Sequence, residues 1–319
     1  MVEKANCLEQ YTALHMACKA GDTRIVYMLI ARGAEVITHG AYGMTPFHLA
    51  CQGGHVRIAE YLLAHGAKLH HRNQAGCTPL HLACRQGHLE IAELLLSFGN
   101  GWGVCLKDRH GRTPLHLACK SGNAEVARLL IEKLILAGEG LAINVQDDIG
   151  RTPFHMACKS GKVEVAKLLI EKIKEICSNF DVDCQDNHGD TPLMLACPLN
   201  DSMETVKLLL KNGGDFNATN HNGNKPLHKA VHGNQLDVAK LLLEVGAGCN
   251  SQNHFGWSPL HKACQIGSWE AAKLLLENGG NLGLKSHSGL MALHVAAKMD
   301  HKKFVFQLMR HYPWLVQDQ

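Results

Sequence analysis

The segment GRTPLHLACKSGNAEVARLLIEK runs from Gly111 to Lys133, and GRTPFHMACKSGKVEVAKLLIEK runs from Gly150 to Lys172. They are nearly the same phrase, 39 residues apart. A chain that repeats at this spacing does not build one ordinary core, because each copy buries its apolar face only against its neighbours. Aligned on the Thr of T-P-L-H, the phrase recurs at Thr12, Thr45, Thr78, Thr113, Thr152 and Thr191. It continues in looser form at Lys225, Ser258 and Met291. The intervals are 33, 33, 35, 39, 39, 34, 33 and 33 residues. Nine repeats are therefore expected, starting near residues 10, 43, 76, 111, 150, 189, 223, 256 and 289. As a single array over 1–319 they leave no room for another domain.

Each repeat reads alike. Thr or Ser before Pro offers an N-cap oxygen, and Pro at the first helical position gives up no hydrogen bond. A short helix with an apolar side follows, as in Leu115, Ala118 and Cys119. Nine positions after the Thr stands a stop: Gly21, Gly54, Gly87, Gly122, Gly161 and Gly267, with Asn200, Asn234 and Asp300 in the other repeats. Gly, Asn and Asp are the residues that tolerate a left-handed backbone. The second helix has an apolar stripe and acid–base pairs three apart, such as Glu125–Arg128, Glu164–Lys167 and Glu270–Lys273. A polar turn leads to the next repeat.

TPLHLACRQGHLEIAELLLSFG, from Thr78, resembles the ankyrin repeat, whose signature is T-P-L-H-x-A in about 33 residues. The resemblance covers nearly the whole chain. It implies an all-α fold, an ankyrin-repeat solenoid of helix–turn–helix units with β-hairpin-like loops. It also implies that His15, His48, His81, His116, His155, His228, His261 and His294 hydrogen-bond to the neighbouring turn and hold repeats in register. Departures are informative. Gln10 and Ala13 in the first repeat, and the last repeat's lack of Thr and Pro, suit terminal caps. Repeats four and five carry six extra residues, expected to lengthen their second helices. In repeat six Met194 replaces the motif His and Pro198 is expected to end the first helix early.

Other chemistry finds little support. The chain carries +3 with His neutral, and 5% of its residues are aromatic, which disfavours nucleic-acid binding. Thirteen Cys with no C-x-x-C pair suit a reducing, cytoplasmic or nuclear setting. Cys18, Cys51, Cys84, Cys119, Cys158, Cys197 and Cys264 share one packing slot and read as small buried hydrophobes. The cluster His65, His70, His71, His81 and His88 raises a metal site, yet three of its members fall in consensus positions on different surfaces. No P-loop, nucleophile elbow or kinase signature appears, so no enzyme activity and no cofactor are expected. Apolar runs are short and broken by charge, so no membrane insertion is expected.

What remains is a surface. Seven positions after the Thr come Lys19, Gln52, Arg85, Lys120, Lys159, Pro198, His232, Gln265 and Lys298, with no acid among them. By resemblance this face lines a concave groove. Four positions after the Thr, Lys229 and Lys262 replace the usual Leu or Met, and Leu195, Pro198 and Leu199 offer an apolar break in the row. Lys120 and Lys159 are expected about 10 Å apart. The expected function is a monomeric protein–protein interaction scaffold or adaptor. Its partner would be another protein with an acidic or phosphorylated segment and an apolar anchor, bound by the groove and the turn tips. Tip residues expected to be exposed are Asp147, Asp148, Asp186 and Phe255. The alternative is a regulatory or targeting domain of a larger enzyme or channel.

Overall fold

A computed structural model of the chain describes residues 11–99, 101, 103–176 and 180–313. Gln10, Cys7 and Cys177 lie outside the described residues. Among the described residues eighteen α-helices follow one another, and the only strand-like pairing is an isolated antiparallel bridge between Lys285 and Met291. The fold is all-α, as expected. Contacts cluster into two compact units, one comprising Met1–Ala157 and Glu164–Phe180, the other Cys158–Val163 and Asp181–Gln319.

Local chemistry explains each helix pair. In repeat three Thr78 caps the helix Pro79–Gln86: its hydroxyl accepts from the His81 amide, and the His81 ring reaches back to the Thr78 amide. This is a capping box with His in place of the usual Glu. Gly87, at φ +81°, ends the helix in the left-handed conformation. The same stop is met by Asn234 and Asp300, at φ 55° and 58°. Repeat six differs: the left-handed residue is Asp201, at φ 58°, not Asn200. Its first helix is only Pro192–Ala196, five residues, because Pro198 cannot continue it. The backbone of repeat seven closes against this break, and a Cβ at Gly233 would meet the Pro198 backbone.

The second helices of repeats four and five, Ala124–Leu136 and Val163–Ile176, run 13 and 14 residues, against 9 in Val56–Ala64. Their extra turns bury Leu134 and Ile173. Of the expected surface pairs, Glu125–Arg128 and Glu164–Lys167 form, whereas Lys273 turns to Glu277. The shared cysteine slot lies in the core throughout, with Cys18, Cys51, Cys84, Cys119, Cys158, Cys197 and Cys264 all buried.

Candidate functional site

The register histidines position everything else. The Thr amide donates to His Nδ1, so Nε2 carries the proton and donates across to the next turn. His15 reaches the Met44 carbonyl at 3.0 Å, His81 that of Arg112 at 3.1 Å, His116 that of Arg151 at 3.0 Å and His228 that of Trp257 at 3.0 Å. Burial lowers the pKa of His48, His81, His116 and His228 to about 4, against the weaker opposing pull of the accepting carbonyls. They are neutral struts.

The turn tips are built by a side chain five positions before the Thr. The Asp108 carboxylate accepts from the His110 and Arg112 amides at 2.9 and 3.0 Å. Asp147, Asp186, Asn73, Asn220 and Asn253 do the same work in their own turns. Successive tips are joined by backbone bonds, such as the Arg109 amide to the Ala75 carbonyl at 2.9 Å. This corrects the expected tip surface. Asp147 and Asp186 are buried because their oxygens are spent on these amides, while Asp148 and Phe255 are exposed. The recurrent Asp or Asn was visible in the sequence as a column of its own.

On the first helices, the residue seven after the Thr is exposed in six repeats and half-exposed at Gln52, Pro198 and Gln265. In the first compact unit Lys19, Arg85 and Lys120 are exposed; in the second, Lys159, His232 and Lys298 are. The residue four after the Thr is core in Leu49, Leu82, Leu117 and Met156. Leu195 belongs to that column and is 7% exposed, so it is no surface anchor. It packs inward like its counterparts, and only Pro198 and Leu199 remain half-exposed at the break.

Lys229 and Lys262 occupy the same inward column and are half-buried, which makes them the unusual charges of the second unit. Lys229 donates to Asp190 at 2.9 Å, and Asp190 also accepts from the Asn220 side chain at 2.7 Å. The Lys262 ammonium lies 4.7 Å from the centre of the Trp257 ring and donates to Gln265 at 3.3 Å. Burial, and then the charge of Lys229, lowers its pKa. Burial, with Lys262 and Lys229 as lesser causes, also lowers that of His232. Lys229, Lys262 and His232 thus form one basic cluster within the second unit.

Three members of the histidine cluster hold structural roles. His81 is a register strut, His88 bonds the Gln52 carbonyl at 2.9 Å, and His65 bonds that of Tyr61 at 2.8 Å. Among the described residues no three His, Cys, Asp or Glu side chains gather to hold a metal ion. No helix among them is long and apolar enough to cross a membrane.

Stacked pairs of a short capped helix and a longer one, joined by Asx-closed turns, define a helical repeat protein. The family model for ankyrin repeats (3 copies) matches residues 2–73, 66–138, 132–220, 173–253 and 227–314, and the chain belongs to the ankyrin repeat family. Comparison with curated proteins finds no match. Ankyrin repeats are in general modules of protein–protein interaction.

Proposed function

We propose that this chain is an interaction scaffold whose first-helix faces bind partner proteins carrying acidic segments. The reading rests on one observation: the solvent-facing column of these helices holds Lys19, Arg85, Lys120, Lys159, His232 and Lys298 and no acid. In each compact unit this column carries cations and no acid, and in the second unit half-exposed apolar Pro198 and Leu199 belong to the same row of helices, a pairing that suits a segment joining negative charge to an apolar side chain. Family membership supports the protein class of the partner, and the neutral struts and buried cysteines leave these faces as the chemically variable part.

The test is quantitative capture by the intact chain. Lys19→Glu, Arg85→Glu and Lys120→Glu together, and Lys159→Glu separately, should each release a set of partners that wild type retains, with the loss steeper at low salt. Asp148→Arg and Phe255→Ala serve as turn-tip controls. If every partner survives the reversals while the tip changes release them, the first-helix reading is wrong.

A further inference from the structure

Lys229 and Lys262 are the same position in successive repeats, four residues after Lys225 and Ser258. Lys229 is answered by Asp190, the residue just before the helix cap of the preceding repeat. The residue equivalent to Asp190 for Lys262 is Asn224. The framework around it is otherwise conserved: the Asn253 side chain donates to Asn224 at 2.8 Å, as the Asn220 side chain donates to Asp190 at 2.7 Å. The network is copied with its carboxylate removed. Among the described residues no Asp or Glu comes within ion-pair distance of Lys262, although the ammonium is half-buried. An uncompensated charge in a partly desolvated setting is costly, and an incoming anion relieves that cost.

The space beside this ammonium is open. His254, Phe255, Trp257, Lys262, Gln265 and His287 surround a cavity of about 350 Å³, with Phe255 59% exposed. That volume lies at the lower end of the roughly 300–1,000 Å³ of ligand pockets and admits a short stretch of a peptide. Its walls are an aromatic floor, a cation and an amide, a combination that takes an acid and an apolar group together. Lys262 is the one lysine among these lining residues, and with the Gln265 amide beside it the ammonium fits the single charge of a carboxylate. A doubly charged phosphate is better matched by the paired donors of arginines, which this cavity lacks.

We propose that this cavity is the anchor pocket for a partner peptide in which Asp or Glu lies within two residues of a bulky apolar side chain. The peptide carboxylate takes beside Lys262 the place that Asp190 takes beside Lys229, while the apolar side chain covers Phe255 and Trp257. This rests on the reading that the chain binds partner proteins and names the point at which one of them docks.

The fold itself supplies clean variants. Asn224→Asp installs the residue that repeat six already carries at Asp190, and Lys262→Met installs the residue that repeat five carries at Met156. A random-peptide display selection on the intact chain should enrich peptides that pair an acid with a bulky apolar residue. A synthetic copy of an enriched peptide should bind at least tenfold more weakly to Asn224→Asp and to Lys262→Met. Its Glu→Gln counterpart should lose a similar factor on wild type. Tighter binding of the counterpart with phosphoserine in place of Glu would overturn the carboxylate assignment. Enrichment of no peptide, or of peptides without an acid, would overturn the pocket. Peptides that ignore Asn224→Asp but are released by Lys120→Glu or Lys159→Glu would also overturn it, while leaving the wider first-helix reading intact.

Discussion

The register histidines make acid the sharpest probe of this fold. His48, His81 and His116 lie in the first compact unit, each with its pKa lowered by burial to about 4 from an ordinary value of 6.5. An unfolded chain therefore binds protons below pH 6.5 that the folded chain refuses, so stability is intact above that pH and falls as pH drops toward 4. At pH 5 each histidine costs up to about 2 kcal/mol, so the three together remove up to about 6 kcal/mol, against the roughly 5–15 kcal/mol that holds a domain folded. The first unit should lose its helices between pH 6 and 4.5. His228 adds the same sign of dependence in the second unit.

Urea unfolding of the intact chain, followed by helical circular dichroism across this range, gives proton uptake from the slope of stability against pH. Uptake of at least about three to four protons is expected, since burial also lowers the pKa values of His15, His71, His232 and His261. His116→Met should lower it by about one. The fold tolerates this substitution, since Met194 sits fully buried at the same position in repeat six. At neutral pH the variant should be weaker by about 1–3 kcal/mol, because the Arg151 carbonyl loses its donor. Native-state ring-proton shifts should show these histidines still neutral at pH 5.5. Ring signals titrating near pH 6.5 in the folded protein, or an uptake below one proton, would refute the argument.

Gly76 and Gly66 separate strain from collision. Both have positive φ, but a Cβ at Gly76 would lie 2.8 Å from the Arg109 backbone nitrogen, while Gly66 faces open space. In urea titrations Gly66→Ala should cost about 1 kcal/mol and Gly76→Ala clearly more, since the neighbouring turn must shift. Cys105 is exposed, so it should react with a thiol reagent in the native protein, whereas Cys51, Cys84 and Cys119 should react only after unfolding. Labelling of Cys119 at the rate of Cys105 would contradict the packing described. Asp190→Asn should destabilise by about 1–3 kcal/mol by leaving Lys229 half-buried without its carboxylate, and the double change with Lys229→Met should recover most of that loss.

Most of the fold was legible because it is local chemistry repeated. Thr before Pro, His three residues after Thr, and Gly nine after it are set by capping and by a left-handed backbone, which are properties of the residues themselves. The lengthened helices of repeats four and five followed from six added residues, and the short helix of repeat six from Pro198. Two expectations failed for a shared reason. Leu195 reads with Pro198 and Leu199 as an apolar break in a polar row, although its column, with Leu49, Leu82, Leu117 and Met156, is the one that packs inward. Asp147 and Asp186 look like exposed turn acids taken one at a time, although acids in that column accept from backbone amides and are lost to solvent. Individual polarity misled where the column would have guided.

The lysines mark where columns stop being enough. Lys229 and Lys262 agree in column and in burial, yet among the described residues one meets a carboxylate while the other meets Trp257 and Gln265 and no acid. What separates them is the residue before the cap of the preceding repeat, Asp190 in one case and Asn224 in the other, 39 and 38 positions earlier in the chain. That coupling runs diagonally between neighbouring repeats, and it is visible only once stacking has brought the end of one turn against the helix of the next. In a nearest-neighbour architecture such diagonals are cheap to alter, because a change at one interface leaves the others as they were. A charge can be placed at an inward position without disturbing the array, and a single Asp-to-Asn difference decides whether that charge meets a carboxylate within the fold.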